Sequence, residues 1–505
     1  MFIRKKNNPN GSITIQVVDK SSGSYRVIQN FGVAKTNTEQ EKKIQQASLW
    51  MKQKSGVKDF DFFEEDKLVE LFVDSIQSLK REGIELVLGK IFDEIGFNQI
   101  ADPIFKQLVL YRLVYPSSKL KTTEYLYRYH QIYWDENKIY RYLDKLYNIQ
   151  KELVQQISYN HTCKLLESHP QIIFYDVTTI YFEVEQEDEL RRSGFSKDGK
   201  HQNPQIVLGL LVSKNGYPLA YNIFEGKQFE GHTLLPVIEF FKQKYQLEKL
   251  TIVADAGLLS NDNIRLLVEK QYEFIIGARL KNEAKNLQNE ILATTFKNGG
   301  TKLFYKPDNL KLLVSYSTKR ATKDAINRER GLSRLEKQLG KGRLTKNNIN
   351  NKGYNKYLKL NGTLEISIDY EKYKADAKWD GLKGYVTNSI LDTKEILENY
   401  NQLWQIEKAF RVAKTDLKVR PIYHRLPKRI EAHICLTFVA YKVYKELERQ
   451  LEVLNAPFKA SKAIEIAESI FQLEIKTPHS NEIIKKTLLL NEEQKILAKI
   501  FKFEN

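Results

Sequence analysis

The sequence predicts an α/β protein organised around a mixed β-sheet, and three observations support this fold class. Three strand patterns follow one another from residue 171, IIFYDVTTIYFE, PQIVLGLLVSKNG and YPLAYNIFEG. A strand–helix–strand pattern over 250–279 indicates a parallel pair of strands, because parallel strands need a crossover connection. Helical periodicity extends over 60–165, before the first of these strands. Meandering strands joined to a parallel pair give a mixed sheet, preceded by a helical region.

The chain before the sheet is predicted to form two parts. Residues 1–55 hold a β-hairpin, since 12–32 alternate in strand fashion around the turn signal SSGS, and then a helix over 36–53. Residues 56–165 are helical, and 117–160 are also basic and rich in tyrosine. We predict a helical DNA-binding region here, with a helix-turn-helix-like unit. The alternative is that tyrosines at helical spacing are core residues.

The sheet-forming part of the chain is predicted to be interrupted. Its first part covers 166–280, where Ser260 caps the helix of the strand–helix–strand pattern. Residues 281–378 break the pattern with short strands and a basic helix, which indicates an inserted domain. The second part covers 379–450, with the returning strand GYVTNS and one long helix over about 393–418. Residues 451–505 are predicted to form a C-terminal helical region.

Composition favours a polyanionic partner. The 505 residues carry a formal net charge of +17, more than solubility requires, and nucleic acid is the commonest polyanion. The alternative is a basic protein from a lysine-rich proteome. The two cysteines imply no disulfide framework and no cysteine-based zinc site. We see no signal peptide and no apolar run long enough to span a membrane, so we expect a cytoplasmic protein.

Two aspartates lie on or at the end of predicted strands. Asp176 lies in the middle of IIFYDVTTIYFE, where a lone carboxylate would be costly to bury, and Asp255 ends the strand LTIVADAG. Ligands of α/β sheets gather at the carboxyl ends of strands. Two carboxylates brought together there repel each other unless a cation lies between them, and Mg²⁺ prefers such oxygen ligands. The alternatives are that Thr178 or backbone satisfies Asp176, and that Asp255 forms a turn before a helix.

A third carboxylate lies on the long helix predicted after the inserted domain. At about 100° per residue, Tyr400, Leu403, Glu407, Arg411 and Lys414 fall within roughly 80° of one another. One helix edge would therefore present a hydroxyl, a carboxylate and two cations, which suits a metal ligand flanked by phosphate-binding groups. The alternative is an amphipathic helix with an ion pair between Glu407 and Arg411.

The motifs FYDVTT and VADAG, with the spacing of Tyr400, Glu407 and Lys414, resemble the DDE transposases of the IS4 superfamily, most closely those of the IS1634 type. Further similarity lies in MFIRK, SGFSKDGKHQNPQIVLGLLV and WQIEKAF. The resemblance implies an RNase H-like core, interrupted by a mainly β insertion between the second aspartate and the glutamate. It also implies that Asp176, Asp255 and Glu407 are the catalytic residues and the ligands of two Mg²⁺ ions, for which Mn²⁺ can substitute.

The resemblance further implies cleavage and strand transfer of insertion-sequence ends, by cut-and-paste through a DNA hairpin. Tyr400 and Lys414 would then bind a DNA phosphate. The family has an arginine where this sequence has Leu403, and Arg411 is expected to supply a cation on the same helix edge instead.

The partners implied are double-stranded DNA with terminal inverted repeats, target DNA and a second copy of the chain in the synaptic complex. The implied location is the bacterial cytoplasm, at the nucleoid, without a membrane partner. Two alternatives stay open. One is a catalytically impaired DNA-binding relative that acts as a repressor, and the other is an RNase H-like nuclease without strand transfer.

Overall fold

The computed structural model describes residues 1–9, 11–55, 62–196, 199–258, 260–350, 353–361, 365–477 and 482–503. The chain divides into two compact units, one formed by Met1–Ser78 with Leu473–Lys485 and the other by Leu79–Gln472 with Lys486–Asn505. Within the described ranges, no helix is both long and apolar enough to cross a membrane.

Strands and helices occur in every long stretch of the described residues. In chain order, the strands are β1 (Phe2–Asn7), β2 (Ile13–Asp19), β3 (Arg26–Ala34), β4 (Ile76–Arg81), β5 (Ile172–Tyr181), β6 (Gln205–Ser213), β7 (Pro218–Glu225), β8 (Thr251–Ala254), β9 (Glu273–Ala278), β10 (Thr301–Tyr305), β11 (Lys311–Tyr316), β12 (Leu358–Asn361), β13 (Glu365–Ile368), β14 (Leu382–Thr387), β15 (Phe471–Lys476) and β16 (Ile483–Leu488). The helices are α1 (Asn37–Ser55), α2 (Phe62–Ser75), α3 (Lys90–Ile95), α4 (Pro103–Val114), α5 (Lys119–His130), α6 (Glu136–Lys145), α7 (Lys151–Leu166), α8 (Leu234–Tyr245), α9 (Asn261–Glu269), α10 (Lys285–Ala293), α11 (Thr318–Gly340), α12 (Tyr370–Ala377), α13 (Thr393–Asn401), α14 (Trp404–Thr415), α15 (Pro427–Val453), α16 (Ala460–Glu468) and α17 (Glu492–Phe501).

The first unit contains the predicted hairpin. Strands β1, β2 and β3 form an antiparallel sheet, and α1 packs against it. Ile15 and Val17 alternate on one face of β2 and bury Ala47 of α1 beneath them. The hairpin and helix expected over 12–53 are therefore β2, β3 and α1.

A mixed sheet forms the centre of the second unit, as the sequence predicts. Among the described residues it has eight strands in the order β10–β11–β14–β9–β8–β5–β6–β7. Strand β8 is parallel to both β5 and β9, while the other neighbours are antiparallel. The predicted strand–helix–strand unit is β8, α9 and β9, and the Ser260 hydroxyl accepts a hydrogen bond from the Asn263 backbone N–H as the helix cap.

Helices cover both faces of this sheet, because its central strands are apolar on both sides. Phe174 of β5 and Val253 of β8 belong to a cluster that includes buried residues of α13, α14 and α15. Their neighbours Tyr175 and Ala254 belong to a second cluster on the other face, with α8 and α9. Side chains alternate between faces along a strand, so each position of β5 and β8 can be assigned to one of the two faces.

The helices of the predicted DNA-binding region pack within the second unit from residue 79 onward. Asp102, Ser118 and Asp135 cap α4, α5 and α6 through their side-chain oxygens. Helices α4, α6 and α7 contact α15 and share its hydrophobic cluster. Several tyrosines are core residues here, for example Tyr142, whereas Tyr133 is 82% exposed. Residues 56–61 of the predicted region lie outside the described part of the chain.

The segment 281–378, which was predicted to be a mainly β insertion, has a different composition of helices and strands from the one predicted. Its strands β10 and β11 extend the central sheet next to β14. In the described part of the segment, helices α10, α11 and α12 hold more residues than strands β10 to β13. The prediction of a mainly β composition is therefore wrong for these residues, because the basic stretch forms a 23-residue helix whose Leu335 is buried in a small cluster with Tyr357, Leu358 and Ile368.

Two further predictions of helix need correction. The single helix expected over 393–418 is two helices, α13 and α14. The break arises because the backbone N–H groups of Leu403 and Ile406 bond to carbonyls three residues earlier, which tightens the turn. Apolar periodicity continues across such a short break, so the sequence does not reveal it. The C-terminal region 451–505 also contains β15 and β16 besides its helices.

Candidate functional site

The two predicted aspartates occupy neighbouring strands of the central sheet. In the parallel pairing of β5 and β8, the last paired residues are Tyr175 and Ala254. The next residues along the two strands are Asp176 and Asp255, at a strand spacing of about 5 Å. Both side chains are half-buried. The register of a parallel pair therefore brings together two carboxylates that are far apart in the sequence.

Both aspartates belong to the same face of the sheet. Asp176 is two residues beyond Phe174, and Asp255 is two residues beyond Val253, so each follows a residue of the cluster that contains α13 and α14. The Asp176 Oδ1 accepts the backbone N–H of Val177 at 2.7 Å, and the Asp255 Oδ1 accepts that of Gly257 at 2.7 Å. The turn expected as an alternative role for Asp255 is thus present, alongside its position at the strand end.

Glu407 lies on the helix that packs against this face. Helix α14 contacts β5 and β6, and its buried residues Ile406 and Phe410 fill the interface. Glu407 lies in the first turn of α14, with its side chain exposed. In the described part of the chain Glu407 and Arg411 form no ion pair, so the alternative role for this carboxylate is not realised. Glu407 is held by the backbone of a docked helix and is left available to a ligand.

Tyr400 connects the glutamate with the second aspartate. It is buried at the end of α13, and a Cβ atom at Gly277 would overlap its hydroxyl, so the glycine admits the ring to the sheet. Burial first, and then the nearby charges of Asp255 and Glu407, raise the pKa of the Tyr400 hydroxyl well above its ordinary value. Tyr400 therefore stays a protonated hydroxyl within the electrostatic reach of both carboxylates.

Two cations that the sequence analysis did not single out lie beside these groups. The Lys383 Nζ of β14 is 4.4 Å from the centre of the Tyr400 ring. Burial and the charge of Arg320 lower the pKa of Lys383, while the charge of Glu407 opposes this decrease. Arg320, in the first turn of α11, also acts on Tyr400. The carboxylates thus have positive charge nearby from the returning strand and from the predicted insertion.

Comparison with known proteins decides the family. Residues 167–442, more than half of the chain, match the family model described as the transposase DDE domain. The chain belongs to this family. It is therefore a DNA transposase, and the match includes all three predicted carboxylates. A search among curated proteins found no match.

A solved structure gives a weaker comparison. The cryo-EM structure of a piggyBac transposase synaptic complex with hairpin DNA has a TM-score of 0.39 and 9% sequence identity, with 79% of each chain covered.

The transposase departs from the predicted helix edge at Leu403 and at Tyr400, while Arg411 and Lys414 stay together on α14. Leu403 is 6% exposed and packs in the cluster beneath α14, so this position faces the core. Arg411 lies near Tyr444 of α15, whose pKa is raised to about 12 by burial first and then by nearby acidic side chains, against the opposing charge of Arg411. Lys414 is half-buried. The sequence spacing had placed Tyr400 on the same helix as Arg411 and Lys414, whereas the break at residues 402–403 separates them.

The three candidate groups are all carboxylates, a chemistry that suits a hard divalent cation. Within the described residues, however, no group of three or more His, Cys, Asp or Glu side chains is close enough to hold a metal ion. The register brings Asp176 and Asp255 side by side, and Glu407 belongs to the helix packed on that face. The fold thus places two carboxylates side by side and a third on the adjacent helix, without a metal cage among the described residues.

Proposed function

We propose that the transposase is catalytically active, belongs to the IS4 superfamily near the IS1634 type and uses Asp176, Asp255 and Glu407 as its catalytic carboxylates. The observation that carries the proposal is the register of β5 and β8, which makes Asp176 and Asp255 neighbours on the sheet face that α14 covers. We also propose that the central sheet is an RNase H-like core. The reaction proposed is cleavage of insertion-sequence ends, by cut-and-paste through a hairpin, and joining to target DNA.

We further propose that Asp176, Asp255 and Glu407 hold two Mg²⁺ ions, for which Mn²⁺ can substitute. When bound, such ions would activate the attacking water or 3′-hydroxyl and stabilise the leaving oxygen. The three carboxylates would hold the ions next to the reacting phosphodiester and balance the positive charge of the ions. The half-burial of two neighbouring aspartates supports this role, because like charges repel strongly away from water and a cation between them would relieve the repulsion.

Positive charge around the carboxylates would bind the DNA phosphates next to the reacting one. We propose Tyr400, Arg411 and Lys414 for this role, as the sequence indicates, and add Lys383 and Arg320. Lys383 and Arg320 would supply the positive charge that Leu403, which is apolar and buried, does not supply. Because Lys383 and Arg320 lie on other elements than α14, loss of the family arginine need not remove the phosphate-binding charge.

The proposed partners are double-stranded DNA with terminal inverted repeats, target DNA and a second copy of the chain in the synaptic complex. The predicted region 56–165 is our candidate reader of the inverted repeats. Its exposed Tyr127 and Tyr133, beside the basic residues of α5, are suited to DNA contact. A bacterial, nucleoid-associated location would follow from this substrate. The predicted boundaries of the six regions stay predictions.

The test is a cleavage and joining assay with labelled DNA ends that carry the inverted repeats flanking the gene. With Mg²⁺, the wild-type chain should nick the ends and join them to a target plasmid. Asp176→Ala should lower the cleavage rate by at least about a thousandfold, because removing one member of a catalytic unit typically lowers the rate by this much. Asp262→Ala, an exposed aspartate on α9, is the matched control and should keep the rate.

The same assay separates the alternatives. Cleavage that survives in Asp176→Ala would refute the assignment of the carboxylates. Cleavage without joining would favour the nuclease, and binding of the ends without cleavage would favour the repressor. Hairpin intermediates, visible on denaturing gels as products of doubled length, would support the hairpin route.

A further inference from the structure

A second concentration of charge lies away from the carboxylates. A cavity of about 350 Å³ lies among the turn between α4 and α5, the start of α6 and the connection between α14 and α15. Its charged and histidine lining includes Arg112, Lys119, Lys418, Arg420, His424 and His433. We call this space the cationic cavity. Four lysine and arginine side chains around one cavity create a strongly positive potential, because low-dielectric walls concentrate the field.

Lys119 is the most unusual member of the cationic cavity. It is the first residue of α5, its side chain lines the cavity, and it is only 6% exposed. Within the described part of the chain, the Lys119 side chain makes no hydrogen bond or ion pair. Burial, reinforced by the charge of Arg112, lowers its pKa well below the ordinary value. A charged side chain that is largely buried and has no protein partner is poorly solvated, so a ligand that enters the cavity and supplies a partner would be bound with that cost relieved.

Arg112 is fixed in place at the back of the cavity. It is 5% exposed, and its Nη1 donates to the Leu417 carbonyl at 3.4 Å. Its Nη2 donates to His433 Nδ1 at 3.1 Å, so the other ring nitrogen of His433 carries the proton and donates to the Val419 carbonyl at 3.2 Å. His433 is therefore neutral and orients the guanidinium. The same contacts hold the backbone on both sides of Lys418.

Negative charge is scarce around the cationic cavity. Of the described residues that line it, Glu136 is the acid, and it accepts a hydrogen bond from the Tyr140 hydroxyl at 2.7 Å. His424 adds no charge near neutral pH, because burial and the charges of Lys119 and Arg112 lower its pKa to about 3. The positive charge thus comes from lysine and arginine and exceeds the negative charge of the lining.

The start of α5 adds to the attraction for an anion. Ser118 caps this 12-residue helix, and its hydroxyl accepts the Lys121 backbone N–H at 3.1 Å. The first backbone N–H groups of the helix, including that of Lys119, have no carbonyl partner within the helix and favour negative charge. The helix start and the unpartnered Lys119 side chain converge on the same space.

We propose that the cationic cavity binds a phosphate group, and that this phosphate belongs to the backbone of the transposon DNA. The phosphate chemistry follows from the cavity alone, whereas the DNA source rests on the proposed function. The connection that carries Lys418 and Arg420 directly follows α14, the helix of Glu407 and Lys414, so DNA along this helix would pass the cavity mouth. Exposed Lys418 and Tyr423 lie at that mouth.

The first test measures phosphate binding without DNA. Inorganic phosphate, compared with chloride at equal ionic strength, should raise the melting temperature of the wild-type protein, since a ligand of the folded state stabilises it. Lys119→Met should lose this rise. Lys121→Met removes the same charge from the same helix, but Lys121 is exposed and pairs with Glu124, so it should keep the rise. A rise that persists in Lys119→Met would overturn the site.

The second test measures DNA binding by fluorescence anisotropy of an inverted-repeat duplex in EDTA, so that metal-dependent cleavage plays no part. Lys119→Met should weaken binding by roughly tenfold to a hundredfold, as for loss of one charge-assisted hydrogen bond. The slope of log affinity against log salt should become shallower by about one. Lys418→Gln, a surface change that leaves the core intact, should act in the same direction, and Lys121→Met should not.

The outcomes separate this inference from the proposed function. If the wild-type protein binds the duplex and Lys119→Met and Lys418→Gln bind it equally well, the DNA source is wrong, although the proposed function stands. If phosphate stabilises the protein through Lys119 but the wild-type chain binds no duplex, the phosphate site stands and the proposed function fails. If phosphate has no effect on the wild-type protein and both variants bind DNA normally, the whole inference is overturned.

Discussion

The carboxylate site and the cationic cavity show two different ways in which this transposase surrounds a cluster of like charges. Around Asp255 and Glu407, the fold brings cations close, because Lys383 and Arg320 come from a neighbouring strand and from α11. Around Lys119, the described lining residues bring three further cations and one acid, Glu136. A site where opposite charges lie close together can persist without its ligand at modest cost. A site whose cations outnumber its acids indicates more strongly that an anion from outside binds there.

A second buried lysine shows why burial alone is not the signal. Lys442 of α15 is fully buried, and burial lowers its pKa well below the ordinary value, as it does for Lys119. Its Nζ, however, donates to the Ser158 carbonyl at 3.0 Å and to the Thr162 hydroxyl at 2.6 Å. Lys442 thus has protein partners and needs no ligand. The difference between the two lysines lies in their partners rather than in their exposure.

The largest expected effect tests how the carboxylate site obtains its positive charge. Leu403→Arg introduces the arginine that the resemblance to the IS4 superfamily implies at this position, but the position packs in the core, so the buried guanidinium should cost about 4 kcal/mol of the free energy of unfolding. Urea denaturation measures this loss. The control Leu403→Met conserves volume and should cost less than about 1.5 kcal/mol. If Leu403→Arg instead kept stability and cleaved DNA faster, Lys383 and Arg320 would not be the replacement that we propose.

A smaller effect should distinguish the two buried lysines. Lys442→Met leaves the Thr162 hydroxyl oxygen without its donor, although the Ser158 carbonyl keeps the hydrogen bond from that hydroxyl, and the loss should cost about 2 kcal/mol of the free energy of unfolding. DNA affinity per folded molecule should not change. Lys119→Met removes an unpartnered charge and should leave stability unchanged or raise it. Equal losses in the two variants, measured by the same urea titration, would contradict the contrast between a structural lysine and a ligand-binding one.

The mixed sheet could be predicted because its strands and its strand–helix–strand unit depend on local patterns, whereas the pairing of β5 with β8 is a long-range contact that the sequence analysis did not specify. Strand alternation and the strand–helix–strand spacing identify β5, β8 and β9, and parallel pairing of β5 with β8 then makes Asp176 and Asp255 neighbours. The start of α9 could be predicted as well, because Ser260 caps the helix as serine commonly does. These features are determined by residues close in the sequence or by a topology with few alternatives.

The break between α13 and α14, and the residues that depend on it, could not be predicted in this way. The apolar spacing across residues 396–406 fits one continuous helix, and only the tightened backbone turn separates Tyr400 from Glu407. Lys383 and Arg320 were missed because their proximity to Glu407 depends on how β14 and α11 return to the sheet. A lysine in a strand and an arginine in a basic helix carry no signal of that contact, and the same holds for the buried cations of the cationic cavity.

The smallest expected effect concerns pH and the compensating cations of the carboxylate site. Burial and then the charge of Arg320 lower the pKa of Lys383, so Lys383 loses its positive charge at a lower pH than an ordinary lysine. Arg320→Gln should raise that pKa, and the alkaline limb of the cleavage rate against pH should move to higher pH. The exposed Arg330 of the same helix provides the control, since Arg330→Gln should leave the alkaline limb in place.

Tyr400 cannot account for the alkaline limb, because burial and nearby carboxylates raise the pKa of its hydroxyl well above its ordinary value. A limb that persists in Lys383→Met, or that moves to lower pH in Arg320→Gln, would show that Lys383 does not supply the charge opposite Glu407.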